Sequence, residues 1–149
     1  MATLFTRIID GEIPGRFVWA DEVAVAFATI APITDGHVLV VPRAEIVQLT
    51  DAPDEVLAHL VGVAKTIGLA QQAAWGAPRA ALLVAGFEVP HLHLHVLPAW
   101  DEASLSFANA RTDLPGAELD AAAQSVRAEL VAAGHGAHVP RTLVSPELA

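Results

Sequence analysis

One long stretch of helical periodicity, with short strand-like runs on either side of it, constrains this chain more than any other feature. From Thr50-Asp51, read as a capping pair ahead of Pro53, the residues Leu57, Leu60, Ala64, Ile67 and Ala74 recur at spacings of three, four or their sum. That pattern gives one apolar face to a helix ending near Trp75-Gly76. Upstream, Phe17-Val18-Trp19, Val23 to Phe27 and His37 to Pro42 read as strands, separated by turns at Asp21-Glu22 and Asp35-Gly36. Downstream, Ala80 to Ala85 and His91 to Leu97 read the same way. Strands and helices are segregated, with no repeated βα unit. The expected architecture is therefore α+β, an antiparallel sheet of about five strands covered by one long helix. Ile8-Ile9 running into Gly11 and Pro14 reads as a short helical turn broken by a loop. Leu119, Val126 and Leu130 give a shorter C-terminal helix before the Gly134 to Gly136 break, and the residues after it read as a mobile tail.

The 149 residues suit a single domain, with a core over about residues 4–100 and an extension over 101–149. Hydrophobic residues make up 54%, but 30 of them are Ala, so the core must come from the remaining Val, Leu, Ile and Phe. A net charge of −9 with Lys65 as the single lysine leaves no basic stripe. Long nucleic acids and anionic membranes are therefore not expected partners. Met1 to Gly11 lacks the basic start and small-residue cleavage site of a signal peptide, and no apolar run approaches the ~18 residues needed to span a bilayer. A cytoplasmic protein is expected. The absence of Cys removes disulfides, thiol catalysis and thiolate metal sites together, and leaves the redox compartment open.

The segment whose chemistry stands out is His91-Leu92-His93-Leu94-His95. Read as a strand, it points all three imidazoles to one face and the leucines to the core. Three readings compete. The first is a surface strand that happens to be rich in histidine. The second is a metal site, but a rise of about 3.3 Å per residue sets His91 and His95 about 13 Å apart, too far to share one ion without a sharp bend. Two histidines with Glu88 or Glu45 would still satisfy that reading. The third is phosphoryl chemistry, in which one neutral imidazole attacks phosphorus while a protonated neighbour stabilises charge or acts as acid.

The segment His91-Leu92-His93-Leu94-His95-Val96-Leu97-Pro98 resembles the signature of the histidine triad (HIT) superfamily of nucleotide hydrolases and transferases. The resemblance extends, in order and spacing, through Phe5 to Pro14, Ala26-Phe27 and Gly36 to Pro42, and so covers residues 4–98. It implies a small α+β fold whose subunits pair as a homodimer with a continuous sheet. It implies an enzyme that acts on a nucleoside monophosphate derivative, a phosphoramidate or mixed anhydride. The expected reaction runs through a covalent nucleotidyl-histidine intermediate, and no cofactor and no metal are expected. By position, His93 resembles the nucleophile and His95 the residue that contacts phosphate and helps the leaving group. His91 and His37 resemble the pair that orients the nucleophile, although His37 alone reads equally as a turn histidine. Phe5, Ile8, Phe27 and Ile30 fall where the family packs the base, and taken singly each reads as plain core.

Departures from the pattern bear on the ligand. Thr29 stands where an acidic residue usually grips the ribose hydroxyls, and Ala80 where an Asn usually helps hold phosphate. Phe87 and Glu88 replace a Gln and a hydroxyl residue, which puts a carboxylate beside the phosphate site. Thr3, Thr6 and Glu45 stand where the zinc-binding branch has two Cys and a His, so no structural zinc of that kind is expected. The rival to an enzyme is a binding module of the same fold with an altered ligand and little turnover. No role is assigned to His59, His135 or His138.

Overall fold

A computed structural model describes residues 2–149. Thr3 caps the first helix, α1 (Leu4–Ile9), by accepting the Thr6 N–H on its side-chain oxygen. Three strands follow, β1 (Phe17–Ala20), β2 (Ala24–Ala28) and β3 (Val38–Pro42), then helix α2 (Asp54–Trp75), strands β4 (Arg79–Val84) and β5 (Leu94–Ala99), and helix α3 (Gly116–Ala132). The sheet is antiparallel throughout, in the order β1-β2-β3-β5-β4. The expected α+β architecture is therefore observed, with a long helix of 22 residues and a shorter C-terminal one of 17.

Alternation along the strands sorts the core into two layers. Ala24, Ala26, Val38, Val40, Leu94 and Val96 meet Leu60, Val63 and Ile67 of α2 and Val126 and Leu130 of α3. On the opposite face Val25, Phe27, Leu39 and Val41 meet Phe5 and Ile8 of α1. Leu60 and Ile67 are fully buried, each contributing about 1.5–3 kcal/mol of transfer free energy. Helix α2 lies so close to β4 that a Cβ at Gly68 would sit 2.9 Å from that of Ala80. Ala80 pairs with Pro98, and the same strand face carries Leu82 opposite Val96, so its side chain is on the α2 side. The Asn-to-Ala departure noted above therefore does not border the histidines.

Several local expectations are corrected. Thr50-Asp51 does not cap α2: Leu49–Asp51 forms a 3-10 turn, Pro53 occupies the N-cap, and Asp54 and Glu55 supply the acidic first turn. Strand β5 begins at Leu94, not at His91, because the Leu92 N–H donates to the Ile46 carbonyl and the His91 N–H to that of Val89. The C-terminal segment is docked rather than a mobile tail. The Phe17 N–H on the β1 edge donates to the Leu143 carbonyl, Arg127 donates to the Phe17, Pro140 and Thr142 carbonyls, and His138 stacks on Trp19. No helix among the described residues is long and apolar enough to cross a membrane.

Candidate active site

All four histidines singled out by the sequence converge on the α1 face of the sheet. His95 pairs with Leu39 across the β5–β3 ladder, and His37 precedes β3 two residues before Leu39, so the two imidazoles meet diagonally. Their nitrogens, His37 Nε2 and His95 Nδ1, lie 2.9 Å apart. The His93 ring is 4.9 Å from that of His95 and 4.9 Å from Phe5, which stands edge-on to it. His91 is fully buried, His37 and His93 are 2% and 7% exposed, and His95 is half-buried. These are not rings laid on a surface strand, which removes the first of the three readings.

Backbone partners settle which nitrogen of each ring carries the proton. The Ile33 N–H donates to His37 Nδ1 at 3.1 Å, so His37 bears its proton on Nε2 and donates it to His95 Nδ1. His95 therefore accepts on Nδ1 and presents an Nε2–H. His93 Nδ1 donates to the His91 carbonyl at 2.7 Å, which leaves its Nε2 lone pair free. His91 Nε2 donates to the Pro42 carbonyl at 2.8 Å, and its Nδ1 accepts from the Thr3 hydroxyl. The arrangement offers one nucleophilic nitrogen with an N–H donor beside it.

Burial favours the neutral form of His37, His93 and His95. It pushes His37 down to about 3, with His95 adding to the effect, and His95 down to about 4, with His93 adding. His93 is also lowered, by burial and by His91, against an upward pull from its bond to the His91 carbonyl and from the Glu88 carboxylate. The expectation of a protonated neighbour is thus corrected for the free site. Protonating His95 on Nδ1 would set its N–H against that of His37.

The other residues expected at the site divide. Phe5, Ile8 and Phe27 are buried together beneath the histidines, with Phe5 in contact with both His93 and His91. Thr29 is tied to the site by its backbone, its N–H donating to the His37 carbonyl, while its hydroxyl accepts the Ala31 N–H. Ile30 is 75% exposed and Phe87 97% exposed, so neither is core. Glu88 is exposed and close enough to act on His93. The sequence reading missed two residues. Phe107, in a 3-10 turn of the C-terminal extension, sets its edge on the His95 ring at 4.9 Å, and no local pattern marks it. Gln71 is fully buried and donates to the carbonyls of Gly36 and Val96, each next to a site histidine. A polar residue four positions after Ile67 on an apolar helix face was the available signal. His59 instead pairs with Asp21, which also accepts from Trp19, on a separate surface.

The fold and this cluster of buried imidazoles on one face of the sheet define the class of protein to which the chain belongs. A family model for the HIT domain matches residues 10–102, and the chain belongs to the histidine triad family. An uncharacterised HIT-like protein of Methanocaldococcus jannaschii is 35% identical over 102 residues, covering 66% of this chain and 79% of that one. The adenosine 5'-monophosphoramidase of Saccharomyces cerevisiae is 33% identical over 104 residues, covering 69% and 66%. Among solved structures, a zinc-bound histidine triad family protein from Mycobacterium smegmatis superposes with a TM-score of 0.77 at 29% identity, covering 89% of this chain and 96% of that one. Membership places the protein among nucleotide-binding hydrolases and transferases.

Zinc does not fit the residues present here. Thr3, Thr6, Glu45 and His91 meet in one cluster, but two of the four are neutral hydroxyls, and tetrahedral zinc takes thiolate, imidazole or carboxylate. Among the described residues no three His, Asp or Glu are placed to hold an ion. Glu45 accepts the Thr3 N–H and the Thr6 hydroxyl on Oε1, and among the described residues neither it nor Glu88 is grouped with two histidines to hold an ion.

Proposed function

We propose that the protein hydrolyses, or transfers from, a phosphoramidate or mixed anhydride of a nucleoside monophosphate through a nucleotidyl-His93 intermediate. The observation that carries this reading is the His93 Nδ1–H on the His91 carbonyl, which aims a free Nε2 lone pair away from the backbone and beside His95. His93 Nε2 attacks the α-phosphorus, the bond from phosphorus to the leaving group breaks, and an amine departs with the proton of a nitrogen-protonated phosphoramidate. Water then attacks phosphorus, the bond to His93 breaks, and the nucleoside monophosphate leaves as a proton passes to solvent. His95 donates its Nε2–H to a phosphate oxygen or the departing atom, with His37 holding the ring from behind. Phe5, Ile8 and Phe27 form the apolar floor for the base, exposed Ile30 packs against it from the open side, and Thr29 borders the ribose. The yeast relative's monophosphoramidase activity agrees with the substrate class.

The outer edge of β4 is unpaired, and Leu82, Val84 and Leu69 around it are exposed, which supports a homodimer joined there into one continuous sheet. The exposed Glu88 carboxylate acting on His93 favours the second reading, a binding module with a different ligand. Intact mass after rapid quenching with adenosine 5'-phosphoramidate separates the two. The expected result is a nucleotidyl increment on the wild type and none on His93→Ala, with turnover lost. Turnover by His93→Ala at the wild-type rate would refute the mechanism.

A further inference from the structure

We propose that Thr3, Thr6 and Glu45 form a hydrogen-bonded brace that fixes the His91 ring and, through the His91 carbonyl, holds His93 in the tautomer that can attack. The proposal rests on the reading of His93 as nucleophile and assigns the three residues as positioning residues for it. Thr3 Oγ1 lies 2.7 Å from His91 Nδ1, and Thr6 Oγ1 lies 2.7 Å from Glu45 Oε1. The Thr3 N–H donates to the same Glu45 oxygen at 3.1 Å, and Thr3 Oγ1 accepts the Thr6 N–H at 3.1 Å.

Each hydroxyl has one proton, and the count of donors decides its direction. His91 Nε2 must carry a proton because its partner is the Pro42 carbonyl, which only accepts. In the neutral ring Nδ1 is therefore an acceptor, and the Thr3 proton is spent on it. The Thr6 proton is spent on Glu45, and the 3.2 Å approach of the two hydroxyls carries no proton of its own. Glu45 receives two donors and its carboxyl is held below the usual range by the Thr6 hydroxyl and then the Thr3 N–H. Every polar atom facing His91 is thus committed to one orientation of the ring.

The consequence reaches the nucleophile through two bonds. His91 is fully buried, its ring is held by Thr3 and Pro42, and the peptide that carries its carbonyl is held by the Leu92 N–H on the Ile46 carbonyl, so releasing the ring removes one of the two restraints that aim that carbonyl at His93. That carbonyl is the acceptor for His93 Nδ1–H. If it shifts, the proton on His93 is free to move to Nε2, and the lone pair needed for attack is lost. A cluster of hydroxyls and one carboxylate thereby holds the ring without a metal, consistent with the poor fit of zinc to the same residues.

The test uses the full chain labelled with 15N-histidine. Two-bond 1H–15N spectra should show His91 protonated on Nε2 and His93 on Nδ1. Thr3→Val should let His93 populate the Nε2–H tautomer and lower kcat by about ten- to a hundredfold, the usual size for an outer partner that orients a functional histidine, with KM little changed. Thr3→Ser should restore both readouts. Should Thr3→Val fail to fold, Glu45→Ala decides in its place, since it leaves the Thr3 cap on Thr6 intact, with Glu45→Gln as the rescue. A variant that keeps His93 wholly on Nδ1–H at wild-type kcat overturns the brace. So does zinc that binds stoichiometrically to the wild type and moves the His91 resonances. A wild type that turns over no phosphoramidate refutes the proposed function alone, since the tautomer spectra still test the brace.

Discussion

Removing the titration of His37 should flatten the acid sensitivity of folding. His37 is 2% exposed and burial holds it at about 3 against an ordinary value of 6.5, so below pH 6.5 the unfolded chain binds a proton that the native chain refuses. Stability therefore falls as pH drops through 6.5 and goes on falling until the native value near 3 is reached. Integrating that proton difference from about pH 7 to about pH 5 gives a loss of about 2 kcal/mol for this one ring. His95 acts in the same direction, because its value is also depressed, to about 4. The lowered carboxylates, such as Asp21, titrate at lower pH and leave this window to the histidines. Urea unfolding followed by fluorescence of Trp19, Trp75 and Trp100, at about pH 7 and about pH 5, measures the loss directly. In His37→Gln the loss between those two values should shrink by about 2 kcal/mol relative to wild type. An equal loss in both proteins would mean that His37 is not held neutral by burial, and the tautomer argument for the site would lose its first link.

Glu88→Ser should tighten adenosine monophosphate about fivefold or less, the scale of an exposed charge contact. Equal calorimetric affinities across the pH range would show that Glu88 does not face the phosphate. Phe107→Ala should admit water to the His95 ring and raise its pKa from about 4 toward 6.5, read from its NMR titration. An unmoved titration would show that Phe107 does not shield the ring. Gly36→Ala should destabilise the fold by about 3 kcal/mol or more in denaturant melts, because a Cβ there combines a left-handed backbone with overlap on the Trp75 ring. A neutral outcome would mean that the turn before His37 can relax.

Much of this molecule is written locally. The period of α2 is carried by Leu57, Leu60, Ala64 and Ile67, the strands by β-branched runs such as Val38 to Val41, and the shared face of His93 and His95 by their spacing of two. Such patterns need no knowledge of distant chain, because backbone geometry alone converts spacing into a face. The fate of each face is another matter. Alternation at His91 to His95 looks like strand throughout, yet Leu92 donates to Ile46, and the ladder starts at Leu94. The extension after α3 looks like a free tail, yet the open β1 edge and Trp19 give it a place to dock. The tautomers of His95 and His91 come from partners remote in sequence, His37 and Thr3, separated by 58 and 88 residues, while that of His93 is set by the carbonyl two residues before it. The sequence by itself determined the elements and the row of imidazoles, since both depend on short-range periodicity. Only the tertiary structure decided which nitrogen of His95 and of His91 carries the proton and how far the rings are buried, because a ring's proton follows its hydrogen-bond partner and its charge follows its burial, and here both depend on segments brought together by folding.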